Sequence, residues 1–179
     1  AASDVYKRQV LKGTADYWCR DYMPIQVDYD RFVQFRYHPD YLKGYRDYET
    51  PTEVSLELAK KLTSASIETS PIIADGGNFT FASIKRGRGY TPVVVMTEKV
   101  FFENSEVAGE NLVYQLEKLF PKHKLLFLPW DRGDACGHTD GILHAVGPNK
   151  LLVNLKVYPD KIAARMREIL ESCFKVIDC

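Results

Sequence analysis

The sequence predicts an α/β fold built from repeated strand–strand–helix–strand units. This order of elements occurs at residues 79–128 and again at residues 142–178, and an earlier copy ends near Ala74. Repeats of this length are typical of one supersecondary unit copied around an axis. Ionisable motifs follow the strand after the helix in successive units, and equivalent strand ends would converge on one central point. We therefore expect a single site at that point.

The first predicted unit contains a strand at residues 31–37, where phenylalanines alternate with polar residues. A helix begins at residues 50–53, with Thr50 as the expected N-cap and proline at the first helical position. The apolar residues of this helix recur every four positions and predict its buried face: Val54, Leu58 and Leu62. The helix should end near Ser64, and a short strand follows at residues 70–74.

The next two units share one pattern of elements. The second unit has two strands, a helix and a strand, at residues 79–84, 93–96, 112–120 and 124–128. The third unit has the same order, at residues 142–146, 150–155, 159–173 and 174–178. A basic run at residues 85–89 separates the first two strands of the second unit, and we expect it to be a solvated hairpin tip.

Composition limits the class of partner. The chain has 179 residues, of which 45% are hydrophobic and 27% charged, as in ordinary globular proteins. Its 24 basic and 24 acidic residues give a formal net charge of zero, which argues against nucleic acid or an anionic membrane as partner. No apolar run has membrane-spanning length, and no signal peptide is evident. We expect a small-molecule or peptide ligand and a cytoplasmic location, and a homodimer is left open.

The start of the chain does not look like the rest. Residues 1–9 have no structural pattern and lack an initiator methionine, so we interpret them as a leader that is foreign to the native protein. Residues 10–179 are then a single domain. The four cysteines are too scattered for a disulfide-rich module, and none forms a C-x-x-C pair.

The motif Cys136-Gly137-His138-Thr139-Asp140 places a thiol, an imidazole and a carboxylate just beyond a predicted buried strand. Ionisable residues at such a position are typical of active sites in α/β proteins. In an extended segment alternate residues share a face, so His138 and Asp140 would point the same way. A polar turn whose histidine only hydrogen-bonds to the backbone is the simpler interpretation.

Two upstream segments carry further carboxylates. Trp18 lies close to Asp21 in sequence, and aromatic faces and carboxylates both favour cations. A surface loop with an aromatic anchor would explain the same residues. The segment 75–78 follows a predicted strand, although its Asp-Gly pair is also a common hairpin turn. Because Asp75 and His138 follow equivalent strands, we expect them to share one site.

These motifs, in this order along the chain, resemble those of a known family. Three motifs follow one another along the chain: Trp18-Cys19-Arg20-Asp21, Asp75-Gly76-Gly77-Asn78 and Gly137-His138-Thr139-Asp140. Together they resemble the agmatine deiminase and bacterial peptidyl-arginine deiminase family of guanidine-modifying enzymes. The resemblance implies the pentein fold, a five-bladed α/β propeller of which this chain would hold about three units.

The resemblance also implies roles for individual residues. Asp21 and Asp140 match the carboxylates that grip the guanidinium group of the substrate, and His138 matches the catalytic histidine. Asp75 stands where relatives often carry glutamate, the partner of that histidine. We count Asp75 and Trp18 among the residues expected near the substrate.

The nucleophile is the largest departure from the family pattern. Relatives use a cysteine in a glycine-rich stretch near the C-terminus, directly after a histidine. Cys179 ends this chain without that context, and Cys136 lies in the histidine motif itself. We therefore expect the chain to be a fragment that lacks the last units and the nucleophile.

The implied reaction is hydrolytic deimination of agmatine, free arginine or peptidyl-arginine. A cysteine thiolate would form a covalent thiouronium intermediate, and ammonia and a ureido product would be released without metal or cofactor. Two alternatives stay open. One is a metal-dependent hydrolase that uses Cys136, His138, Asp140 and Asp75 as ligands. The other is a fragment that binds guanidines without turning them over.

Overall fold

A computed structural model describes residues 11–179, and all structural statements below refer to this range. The predicted leader at residues 1–9 lies outside the described residues. The described chain forms nine strands in three separate three-stranded sheets, with helices between the strands. None of its helices combines the length and hydrophobicity that a membrane span needs.

The first unit contains a short helix and one sheet with its connecting helix. Its elements are α1 (Cys19–Tyr22), β1 (Ile25–Asp28), β2 (Arg31–Arg36), α2 (Thr52–Leu62) and β3 (Ser66–Ile73). Strand β1 pairs antiparallel with β2, and β2 pairs in parallel with β3. The connection from β2 to α2 contains two single turns of 3-10 helix, at Asp40–Leu42 and Arg46–Tyr48.

The second and third units repeat this topology. The second contains β4 (Thr80–Arg86), β5 (Gly89–Thr97), α3 (Lys99–Glu103), α4 (Gly109–Leu119) and β6 (Lys124–Leu128). The third contains β7 (Leu143–Gly147), β8 (Lys150–Val153), α5 (Asp160–Glu171) and β9 (Lys175–Asp178). In each unit the first two strands are antiparallel and the crossover through the helix makes the third strand parallel. The predicted mixed α/β class and the repeated order of elements are confirmed.

Strand β5 lies between two apolar cores. Val94 and Met96 belong to the cluster that β5 shares with the first unit and α4, whereas Val93 and Val95 belong to the cluster shared with the third unit and α5. All four side chains are fully buried, with 0% of their surface exposed. Successive side chains of a strand point to opposite faces, so this one strand joins the three units. The C-terminal end of β5 is therefore held rigidly in place.

The predictions for α2 were partly wrong. The helix begins at Thr52 with Pro51 as its N-cap, and the hydroxyl oxygen of Thr50 instead accepts a hydrogen bond from the Ala15 amide at 3.0 Å. Its buried residues are Ser55 and Ala59. The helix lies close to β2, and small residues permit that approach.

The predicted apolar face of α2 was wrong at its C-terminal end, because Leu62 is 63% exposed. Strand β3 also begins at Ser66, four residues before the predicted start. Its first half consists of exposed polar residues apart from the partly buried Ile67 and therefore lacks a strong apolar signal. Strand β1 has only four residues and was not predicted.

Asn104 ties the second unit to the strand that leads to Asp75. Its amide oxygen accepts a hydrogen bond from the Ile73 N–H at 2.9 Å, and its amide nitrogen donates to the carbonyls of Ile73 and Val100 at 2.8 Å each. Asn104 is only 2% exposed to solvent, so water cannot replace these bonds.

We predict that Asn104→Ala lowers the free energy of unfolding by about 2–4 kcal/mol, because it removes the side-chain partners of the partly buried backbone N–H and C=O of Ile73 and of the Val100 carbonyl. Denaturant unfolding of the chain measures the change. Asn111→Ala, on the exposed side of α4, is the matched control and should change stability by less than about 0.5 kcal/mol. Equal effects of the two substitutions would contradict this role of Asn104.

Candidate active site

The C-terminal end of β5 brings two of the predicted motifs together. The Thr97 amide donates a hydrogen bond to the Asn78 side-chain oxygen at 2.8 Å, and the Thr97 hydroxyl donates to the Gly137 carbonyl at 2.6 Å. Asn78 belongs to the segment that begins with Asp75, and Gly137 directly precedes His138. One residue at the end of a buried strand therefore holds both motifs in place.

Gly77 lies at the closest approach between all three motifs. Its amide donates to Asp21 Oδ1 at 2.9 Å, and its carbonyl accepts from the Asp140 amide at 3.1 Å. A Cβ atom at Gly77 would lie only 2.4 Å from His138 Nδ1 and 2.7 Å from Asp21 Oδ1. Glycine is required here because no side chain fits between the carboxylate and the imidazole.

His138 lies between two carboxylates. Its Nε2 atom is 3.0 Å from Asp75 Oδ2, and its Nδ1 atom is 3.7 Å from Asp21 Oδ1. Asp75 is almost fully buried, with 2% of its side chain exposed. Aspartate therefore reaches the histidine although its side chain is shorter than that of glutamate. The structure brings Asp21, Asp75 and His138 together, as the sequence predicted, and Asp75 has the shorter contact.

Burial and charge act in opposite directions on these groups. Burial disfavours the charged form of His138, but the hydrogen bond to Asp75 and the charges of Asp75, Asp21 and Asp140 outweigh it and raise the pKa above 6.5. Burial also raises the pKa of the Asp21 carboxyl, which the charge of His138 partly offsets. The site therefore favours the protonated, imidazolium form of His138, and it also favours the binding of a cationic ligand.

Asp140 and Trp18 occupy more exposed positions. Only the backbone of Asp140 is fixed, by the bond to Gly77, and its side chain lies at a groove of about 360 Å³ that Arg20 and His144 also line. The Trp18 side chain is 57% exposed and its ring packs against that of Tyr17. The surface-loop interpretation thus holds for Trp18, whereas the polar-turn interpretation is wrong for His138, which hydrogen-bonds to the Asp75 side chain and not to the backbone.

No cysteine sulfur in residues 11–179 forms a hydrogen bond with His138. Cys136 is the nearest thiol in sequence, and burial together with the charge of Asp134 raises its pKa, which disfavours the nucleophilic thiolate. The sulfur of Cys179 donates to the Val153 carbonyl at 3.2 Å, at the end of β9. Cys19 lies exposed in α1.

The proposed metal ligands are not arranged as a metal site. Among residues 11–179, no group of three or more histidine, cysteine, aspartate or glutamate side chains has the geometry to hold a metal ion. Cys136 and Asp140 both flank His138 in sequence, but the loop turns at Gly137, whose φ angle is +61°. The geometry of the described residues therefore gives no support to the alternative of a metal-dependent hydrolase that uses these ligands.

Three residues near the site were missed by sequence reasoning. The Tyr41 ring meets the His138 ring edge-on at 6.1 Å between centroids, and burial raises the pKa of its hydroxyl. The side chains of Lys99 and Glu103 in α3 are 1% and 4% exposed, and burial together with the charge of Asp75 raises the pKa of Glu103 to about 8. Neither periodicity nor spacing marks these residues, because their neighbours come from distant segments.

Comparison with known proteins identifies the family of the chain. The family model of the Porphyromonas-type peptidyl-arginine deiminases matches residues 3–178. The chain belongs to this family. The suspected resemblance is therefore confirmed at the level of the family, whereas a search of curated proteins gave no match.

Solved structures show that the fold is shared with deiminases. An agmatine deiminase from C. jejuni with bound substrate is 18% identical, with a TM-score of 0.64 over 90% of this chain and 50% of that one. A Porphyromonas gingivalis protein assigned as an arginine deiminase is 14% identical, with a TM-score of 0.62 over 91% of this chain and 52% of that one. The chain thus spans about half the length of these structures.

We predict that Gly77→Ala disrupts the site, because its methyl group would displace His138 or Asp21. The pKa of His138, measured by NMR titration of its ring, should fall towards 6.5 as the contact with Asp75 lengthens. Gly89→Ala is the matched control, since a Cβ there meets only the Arg86 carbonyl at 3.9 Å. An unchanged pKa in folded Gly77→Ala would show that the close approach is unimportant.

Proposed function

We propose that the protein to which this chain belongs is a deiminase that hydrolyses a guanidine substrate to a ureido product and ammonia. The observation that carries the proposal is the placement of two carboxylates against the two ring nitrogens of His138, at 3.0 and 3.7 Å. Family membership supports the same reaction class. The proposal extends to a pentein-type propeller completed by further units, and to a cytoplasmic location.

The acidic groups suit the planar guanidinium ion. Asp21 Oδ1 accepts a hydrogen bond from the Gly77 amide. This bond fixes the carboxylate and leaves Oδ2 for a ligand. Within the described chain, Asp75 Oδ1 is buried without a hydrogen-bond partner and is a second acceptor. Asp140 adds a third negative charge from the neighbouring groove. Charge-assisted N–H···O bonds to such groups replace the water that a guanidinium loses on binding.

His138 has the position for proton transfer, and its raised pKa favours the imidazolium form that the first step needs. With Nε2–H donating to Asp75, Nδ1 faces Asp21 and the bound guanidinium. A cysteine thiolate would attack the guanidinium carbon, and Nδ1–H would give its proton to the amino group that leaves as ammonia. Neutral His138 would then take a proton from water as it attacks the thiouronium carbon. Collapse of that adduct breaks the C–S bond and yields the ureido product and the thiolate.

We propose that the nucleophilic thiol comes from outside this chain. No cysteine of residues 11–179 hydrogen-bonds to His138, and the raised pKa of Cys136 disfavours its thiolate. The chain also spans only about half of the similar structures. By this account the chain alone binds guanidines without turnover. The choice between agmatine, arginine and peptidyl-arginine depends on groups at the far end of the substrate.

We predict that Asp21→Asn lowers kcat/KM of the whole protein by about a hundredfold or more, equivalent to roughly 3 kcal/mol, because it removes one charge of the guanidinium site while keeping its shape. Asp140→Asn should lower kcat/KM as well. The assay measures ammonia and ureido product with agmatine, arginine and an arginine peptide offered separately. Asp47→Asn, an exposed residue between β2 and α2, is the control and should stay within about twofold.

Two results would contradict the proposed function. One is a whole protein that converts none of the three guanidines. The other is an Asp21→Asn variant that keeps the wild-type rate on any of them. A loss of activity on treatment with a chelator would instead favour metal-dependent hydrolysis.

A further inference from the structure

Lys99 is a buried cation at the first position of α3, and the mechanism above does not use it. Only 1% of its side chain is exposed. A buried ammonium is costly unless its charge and its hydrogens are satisfied. Its Nζ atom lies 2.6 Å from Asp40 Oδ1 and donates to the Ala135 carbonyl at 2.5 Å. Both partners come from segments outside α3.

Two aromatic rings complete the surroundings of the ammonium. Nζ lies 4.8 Å from the centre of the Tyr41 ring and 5.4 Å from that of the Trp130 ring, both within the range of a cation–π contact. Tyr41 follows Asp40 in the 3-10 turn after β2, and Trp130 precedes Ala135 in the loop after β6. Lys99 therefore joins three segments: α3, the turn at residues 40–42 and the loop at residues 129–138.

The turn contacts His138 through Tyr41, and the loop carries His138 itself. The Tyr41 ring meets the imidazole edge-on at 6.1 Å, and Gly137 precedes His138 in the chain. A Cβ atom at Gly137 would lie 3.0 Å from Lys99 Cδ, so the lysine stem packs directly beneath the backbone of the loop. The ammonium and its stem thus support His138 from both sides without contacting it.

The charges around Lys99 favour a single ion pair. Glu103 Oε1 is 3.7 Å from Nζ, but burial and the charge of Asp75 raise the pKa of Glu103 to about 8. Burial therefore disfavours the charged form of Glu103, and Asp40, at 2.6 Å from Nζ, is the closer countercharge of the lysine. The ion pair with Asp40 crosses between α3 and the turn that carries Tyr41.

We propose that Lys99 is a positioning residue for His138, whose buried ammonium ties the Tyr41 turn and the Gly137 loop to α3 and so holds the imidazole against Asp75. The consequence for proton transfer rests on the proposed function, whereas the positioning itself does not. Lys99 touches neither substrate nor reacting atoms in this account.

The pKa of His138 distinguishes positioning from a simple charge effect. Removing a nearby cation without moving His138 would raise the pKa of the imidazole, because one repelling charge is lost. Loosening the contact between His138 and Asp75 would lower it, because the hydrogen bond and the attraction that raise it would weaken. The two explanations therefore predict shifts of opposite sign.

The test is NMR titration of the histidine rings in the chain and its Lys99→Met variant. We expect the pKa of His138 to fall by roughly 0.5–1 in Lys99→Met, since methionine keeps the apolar stem but loses every contact of the ammonium. Lys118→Met is the matched control. It also removes a lysine from above a tyrosine ring, that of Tyr114 at 4.2 Å, but at the surface of α4, and it should leave His138 unchanged.

A pKa of His138 that is unchanged or raised in folded Lys99→Met overturns the proposal. If that variant does not fold, Lys99→Gln decides, because it removes the charge and the contact with Asp40 but keeps a donor for Ala135. The pKa must then fall as well, by a smaller amount, and a rise overturns the proposal. Neither pKa measurement requires turnover. The positioning role of Lys99 can therefore fail while the deiminase function holds, and the deiminase function can fail while the positioning role holds.

Discussion

The close approach of Gly77 to His138 and Asp21 is the constraint on which the site depends. It is possible only because the first and second units meet on one face of β5 and the second and third on the other. The end of that strand fixes the segment of Gly77 through Asn78 and the loop of His138 through Gly137. The burial of both faces of β5 thus fixes the short distances between the polar groups at the C-terminal end of that strand.

The site combines buried acidic groups with few compensating cations of its own. Burial raises the pKa of Asp21, and the charge of His138 offsets only part of that effect. A guanidinium would supply the missing positive charge together with directed N–H donors, so binding and relief of carboxylate repulsion coincide. Lys99 is not that cation, because its ammonium already forms an ion pair with Asp40 and a hydrogen bond with the Ala135 carbonyl.

The repeated units could be predicted because strands and amphipathic helices carry periodic signals that each unit repeats. The pairing of Asp75 with His138 followed from the equivalence of strand ends, and Asp21 followed from the family motif. The contacts of Tyr41 and Lys99 could not be predicted, because a turn after β2 meets a helix after β5 without any local pattern. The predicted buried face of α2 was wrong for a related reason. The close approach of this helix to the sheet favours the small residues Ser55 and Ala59, whereas the prediction from periodicity counted only large apolar residues such as Leu62.

The central claim is that this arrangement recognises a guanidinium group, and an NMR titration of the chain tests it most directly. Methylguanidinium and methylammonium carry the same charge, but only the former has the planar fork of donors that two carboxylates can hold. The account predicts that methylguanidinium shifts the Gly77 amide and the His138 ring signals saturably, and that methylammonium needs roughly tenfold higher concentration or more. Equal responses to the two ions, or shifts confined to residues away from Gly77 and His138, would contradict it.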